Sequence, residues 1–133
     1  MKIVLDANIF ISAFFWGGNP RILLNRAIRK IDDLFISNEI LKELADVISR
    51  PKFHVDENNI EYFIKSIEEI SSKVFIKKKI KNASRDMDDN KYIECGLAAN
   101  ADYIISGDKH LLELNEYKGI KIVTVKDYLD LYQ

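Results

Sequence analysis

Four acids in this chain stand where an α/β sheet would gather them on one edge. Asp6 directly follows the apolar run Ile3-Val4-Leu5, and Asp108 lies three residues after Tyr103-Ile104-Ile105. Ligands of open α/β sheets bind beyond the carboxyl ends of the strands, so both acids point to the same edge. Asp88 and Asp89 open a helical pattern that leads into Tyr103-Ile104-Ile105, so this helix also starts near that edge. At about 100° per residue, Tyr92, Ile93, Gly96 and Ala99 define its buried face, with Asp89 roughly 20° from the centre and Asp88 roughly 80° away. Glu94 falls on the opposite side and is expected in solvent. On the helix after Leu34-Phe35-Ile36, Glu43 lies about 100° from the centre of the apolar stripe, Glu39 about 140° and Asp46 about 160°. Glu43 is therefore the acid nearest the seam.

Asp6, Glu43, Asp89 and Asp108 together form an all-oxygen donor set. Crowded carboxylates raise one another's pKa, and a hard cation relieves the repulsion. Oxygen ligands select Mg²⁺ or Mn²⁺ over zinc or copper. An ion held this way suits phosphoester hydrolysis, because it polarises the phosphate and generates hydroxide from bound water. The four acids are thus the candidate catalytic residues and metal ligands. Each Asp taken singly also reads as a turn former or helix cap.

The remaining composition excludes other chemistries. The chain has 133 residues, 47% apolar and 31% charged, which fits one globular domain over 1–133. Twenty basic and 21 acidic residues give a net charge of -1, so any nucleic-acid contact must come from a local patch. A single cysteine, Cys95, excludes an internal disulfide and a Cys-based zinc site, and it reads as a small buried apolar residue. Two histidines, His54 and His110, are too few for a His-rich metal site and read as surface residues. No apolar run approaches the ~18 residues that span a bilayer, and no signal-peptide pattern follows Met1-Lys2. The expected location is cytoplasmic, with no membrane partner.

Strands and helices alternate along the chain. Strands are expected at Ile3–Leu5, Leu34–Ile36, Val74–Ile76, Tyr103–Ile105 and Ile120–Val123. A short helix over Ile9–Trp16 ends at Gly17-Gly18. Asn19 then caps a second helix, with Pro20 at its first position and an apolar stripe of Leu23, Leu24, Ala27, Ile28 and Ile31. Further helices are expected from Ser37-Asn38 to Ser49, over Glu57–Ser71, Asp89–Asn100, around Leu111-Leu112, and over Val125–Tyr132. The alternation predicts an α/β fold with a central parallel sheet of about five strands and helices on both faces.

Three segments resemble a known family. Ile3-Val4-Leu5-Asp6-Ala7-Asn8 resembles the opening of PIN domains. Asp86-Met87-Asp88-Asp89-Asn90-Lys91 and Ala101-Asp102-Tyr103-Ile104-Ile105-Ser106-Gly107-Asp108 resemble the later motifs of one PIN subgroup, and Glu43 matches the acidic position after strand two. Ala7 and Met87 depart from it, standing where relatives often carry Thr or Ser and Pro. The resemblance implies a three-layer α/β/α sandwich and an Mg²⁺- or Mn²⁺-dependent ribonuclease. It also implies a VapC-like toxin, a homodimer inhibited by a cognate antitoxin.

Around the acids, Asn8 is placed to orient Asp6 or a metal-bound water, or to form the turn. Ser106 is placed to hydrogen-bond Asp108 or to cap the following helix. Asp88 stands beside the cluster. Lys77, Lys78, Lys79 and Lys81, with Lys73 nearby, form the densest basic run and are the RNA-binding candidates; a solvated strand end is the other reading. Arg21, Arg26, Arg29 and Lys30 offer a second patch. Phe14, Phe15 and Trp16 are core, dimer contact or antitoxin surface. Other functions stay open: a non-toxin PIN-type nuclease, a catalytically silent RNA-binding domain, or a haloacid-dehalogenase-like phosphatase. The last would need a second Asp where Asn8 stands.

Overall fold

The computed structural model of the protein describes residues 1–80 and 87–132. Lys81 and Asp86, both singled out above, lie outside the described residues. The chain builds β1 (Lys2–Leu5), α1 (Ala7–Phe15), α2 (Gly18–Ile28), β2 (Asp33–Ile36), α3 (Asn38–Ile48) and α4 (Glu57–Ile70). Then come β3 (Ser72–Lys73), α5 (Asn90–Ala99), β4 (Tyr103–Ile105), α6 (Lys109–Leu114), β5 (Glu116–Tyr117), β6 (Ile120–Val123) and α7 (Val125–Asp130). Short 3-10 turns at Pro51–Phe53 and Met87–Asp89 precede α4 and α5.

The sheet order is β3-β2-β1-β4-β6-β5. Five strands are parallel, and only β5 runs antiparallel to β6. Helices flank the sheet, which gives the expected α/β/α layering. Ile3, Val4 and Leu5 are buried on both faces of the sheet, which is why β1 is a continuous apolar run without alternation. Its register sets Ile3 beside Leu34 on one side and Tyr103 on the other. The chain winds outward from β1 to β2 and β3, then returns to place β4 on the other flank of β1. A crevice therefore opens beyond the carboxyl ends of β1 and β4, where the winding reverses.

Helix α5 lies across β1, β2 and β4. Gly96 permits this close approach: a Cβ there would sit 3.2 Å from Cδ1 of both Ile104 and Ile120. On the far side of the fold, the buried Asp32 carboxylate accepts from Arg26 Nε at 2.8 Å and from the Tyr128 hydroxyl at 2.8 Å. That pair ties α2 to α7. Among the described residues no helix is long and apolar enough to cross a membrane.

Five expectations are corrected. The third strand is Ser72–Lys73, not Val74–Ile76: β2 ends at Ile36, whose carbonyl takes the Val74 N–H at 2.8 Å, and Phe75 projects into solvent. Helix α2 starts at Gly18 after Gly17 at φ 75°, so Asn19 is not its cap. Arg21 bridges that turn by donating to the Ala13 and Phe14 carbonyls at 2.9 and 3.2 Å. Ile28 and Ile31 are half exposed: α2 buries Leu23 and Ala27 and packs Leu24 partly against the core, and Ile31 lies beyond its end. The sheet gains β5 through a tight hairpin at Lys118-Gly119, both at positive φ, where Lys gives no turn signal. Glu94 is buried, not solvated. The segment before residue 81 covers that face of α5, and Glu94 accepts the Ile80 N–H at 2.8 Å.

Candidate active site

Asp6 and Asp108 owe their places to chain reversals at the carboxyl edge. The Asp6 N–H donates to the Ile105 carbonyl at 3.0 Å, so Asp6 prolongs the β1–β4 pairing by one residue. The backbone then turns into α1, and Asp6 becomes its N-cap: Oδ1 accepts the Asn8 N–H at 3.0 Å. Asp108 caps α6 in the same way, accepting the His110 N–H at 2.7 Å. Ser106 joins the two. Its hydroxyl donates to Asp6 Oδ2 at 2.8 Å, and its oxygen accepts the Asp108 N–H at 2.9 Å. Ser106 thus bonds Asp108 through the backbone N–H and also grips the Asp6 carboxylate, Asp108 rather than Ser106 caps α6, and Asn8 meets Asp6 through its backbone N–H.

Asp89 closes the 3-10 turn that feeds α5 and is buried, whereas Asp88 beside it is exposed. The difference follows the helical angles of the sequence. Asp89 and Asp108 each offer a carboxylate oxygen, and His110 a ring nitrogen, all within 4.8 Å of one another. His110, expected at the surface, is partly buried and lies with these two acids. Its spacing two residues after Asp108, in the first turn of a capped helix, was the available signal.

Glu43 is held from two sides. Its Oε1 accepts from the Tyr92 hydroxyl at 2.8 Å, and its Oε2 pairs with Lys91 Nζ. The same Tyr92 oxygen accepts the Ala7 N–H at 3.2 Å. Tyr92 thus links α3, α5 and the start of α1, and its phenol is pushed above the ordinary range by burial, with the Asp6 charge adding to it. Sequence periodicity identified Tyr92 only as core. A buried Tyr needs a partner for its hydroxyl, which is the signal that was passed over.

The electrostatics agree with this crowding. Burial raises the Asp6 carboxyl above its ordinary value, the Asn8 and Ser106 hydrogen bonds oppose the rise, and the charges of Glu43 and Asp108 add to it. Like charges therefore meet at Asp6. Buried carboxylates flanked by an imidazole fit a divalent cation, both by donor type and by the repulsion a cation would relieve.

The basic candidates lie less close. Lys79 pairs with Glu39 at 3.0 Å and Glu94 at 3.8 Å. Lys77 and Lys78 line an open cleft of about 320 Å³ with Leu97, Ala98 and Lys118, toward the C-terminal end of α5 and away from Asp89. In the second patch, Arg21 and Arg26 serve the internal contacts described above, and Arg26 also stacks 4.0 Å from the Tyr132 ring centroid. Phe14 and Trp16 are exposed. Cys95 is buried as expected, and burial raises its thiol to about 12.

Comparison with known proteins agrees with this architecture. A family model described as PIN domain matches residues 2–110. An uncharacterized protein of Methanocaldococcus jannaschii is 32% identical, covering 100% of this chain and 92% of its own length. Among solved structures, a chain of the crystal structure of VapBC2 from Rickettsia felis, bound to a DNA fragment from their promoter, superposes with a TM-score of 0.62 at 14% identity. That match covers 93% of this chain and 98% of the other, and it speaks for the fold. Sheet order, the acids at the carboxyl edge and a family match over most of the length lead to one conclusion: the chain belongs to the PIN domain family.

Proposed function

We propose that this PIN domain is an Mg²⁺- or Mn²⁺-dependent endoribonuclease, and the toxin of a toxin–antitoxin pair. The observation that carries the reading is the Asp6–Ser106–Asp108 linkage at the sheet's reversal point, with Asp89 beside Asp108. Asp6, Glu43, Asp89 and Asp108 would hold the ion. When bound, it supplies Lewis acidity at the scissile phosphate and acidifies a water. The chain's own residues prepare the site. Ser106 and the Asn8 N–H hold the Asp6 carboxylate, and Tyr92 and Lys91 hold Glu43. Asp88, exposed beside Asp89, would tune the local charge. The family match favours this chemistry over the phosphatase alternative.

The partner half of the reading rests on a surface. Phe14, Ile28 and Tyr62 are exposed around an open, mostly apolar cleft of about 420 Å³ between α2 and α4. A patch of this kind supports an antitoxin or a second copy of the chain as its cover. The solved neighbour belongs to a VapBC2 assembly, which supports the antitoxin.

Incubation of the purified protein with single-stranded RNA and with p-nitrophenyl phosphate, each with Mn²⁺ or EDTA, tests the activity. Cleavage of RNA alone, stopped by EDTA, is the expected result. Release of nitrophenol without RNA cleavage would refute it.

A further inference from the structure

We infer that His110 is a nitrogen ligand of the metal site and makes the site prefer Mn²⁺ to Mg²⁺. This rests on the metal-dependent reading above and goes beyond its four carboxylates. Its ring nitrogen lies within 4.8 Å of carboxylate oxygens from both Asp89 and Asp108. Ligands of one octahedral ion stand about 3 Å apart when adjacent and about 4.2 Å when opposed, at metal–oxygen distances near 2.1 Å. The observed spacing approaches this range.

Local structure aims the ring there. Asp108 caps α6, and the His110 N–H, not the ring, bonds its Oδ1 at 2.7 Å. Cap and ligand are thereby fixed to each other, two residues apart on one turn. Among the described residues no hydrogen bond holds the ring nitrogens, so they remain available to an ion. Glu43, by contrast, is engaged by Lys91 and Tyr92. The donor atoms within 4.8 Å of one another are two carboxylate oxygens and one ring nitrogen. Transition-metal ions, Mn²⁺ the weakest among them, accept an imidazole nitrogen more readily than Mg²⁺, which takes oxygen and keeps its waters. A nitrogen donor shifts the balance toward Mn²⁺ without excluding Mg²⁺.

The test is pulsed EPR of the full-length protein loaded with Mn²⁺, in which a directly bound imidazole gives a ¹⁴N modulation. Protein grown with ring-¹⁵N histidine should exchange that signal for the ¹⁵N pattern. His110→Gln should abolish it, and His54→Gln, at an exposed site far along the chain, should keep it. By calorimetry, His110→Gln should weaken Mn²⁺ binding on the order of tenfold while leaving Mg²⁺ binding within about twofold. Labelling of the wild-type chain shows whether a histidine binds however the variants fold, and the two substitutions assign it between His54 and His110. Mn²⁺ that binds, and is lost in Asp108→Asn, yet shows no histidine nitrogen would overturn the inference and leave the carboxylate site standing. A signal that disappears with His54→Gln would also overturn it. No Mn²⁺ binding at all would overturn the inference and the metal-dependent reading together.

Discussion

Asp6 and Ser106 are a hundred positions apart in sequence, and the Ser106 hydroxyl donates to Asp6 Oδ2 across 2.8 Å. The bond closes the seam between β1 and β4. It holds a buried carboxylate that two other acids repel.

That repulsion has a pH signature in the metal-free protein. The Asp6 carboxyl is raised in the folded state, chiefly by burial, so between its ordinary value and its raised value the folded chain binds more protons than the unfolded chain. Stability then falls as pH rises through that window and is highest below it. Asp6→Asn removes the ionisation. Its metal-free melting temperature should exceed wild type at neutral pH by a few degrees, the scale of about 1 kcal/mol in a domain of this size. The two should converge toward acid pH. Melting curves in EDTA across pH check this, and a variant less stable than wild type at neutral pH would show that the cap outweighs the charge.

Asp88 and Asp89 are neighbours with opposite environments, one exposed and one buried against the site. Asp89→Asn should reduce RNA cleavage on the order of a hundredfold, and Asp88→Asn by less than about threefold. Initial cleavage rates at saturating Mn²⁺ decide between them.

Tyr92→Phe removes one oxygen that serves two partners. The Ala7 N–H loses its acceptor in a buried position, a cost of about 1–3 kcal/mol, and Glu43 loses its donor. The melting temperature should fall, and metal affinity should weaken more than in a core variant of equal stability loss such as Ile93→Val. Calorimetric titration of both variants separates positioning from packing.

Much of this was legible before any coordinates. Buried β-branched runs marked β1, β2, β4 and β6, and helical angles separated Asp89 from Asp88. What escaped has common physical causes. Strands of two residues, such as β3 and β5, carry no periodicity, and the hairpin at Lys118-Gly119 depends on positive φ at a residue that does not advertise it. Glu94 was misplaced because helical periodicity cannot report a non-helical segment lying over the helix. Residue-type averages put Tyr92 in the core and His110 at the surface, although each turns one polar atom toward the site acids.

Charge reversal of Lys77 and Lys78 together tests the basic run without disturbing the Lys79–Glu39 pair. Each phosphate contact to a single strand contributes roughly 0.7 to the salt slope, so loss of two should lower it by about 1.4. Binding measured over a salt series with Ca²⁺ in place of a catalytic ion gives the slope. An unchanged slope would make the run a solvated surface.

The central claim is that the acids around Asp6 and Asp108 cut RNA with a bound divalent ion. Single-turnover cleavage of end-labelled single-stranded RNA, followed against Mn²⁺ concentration for wild type and Asp108→Asn, tests it most directly. The rate should saturate with Mn²⁺ for wild type, vanish in EDTA, and drop on the order of a hundredfold in the variant at every concentration. Cleavage that persists in EDTA, or that Asp108→Asn leaves intact, would contradict it.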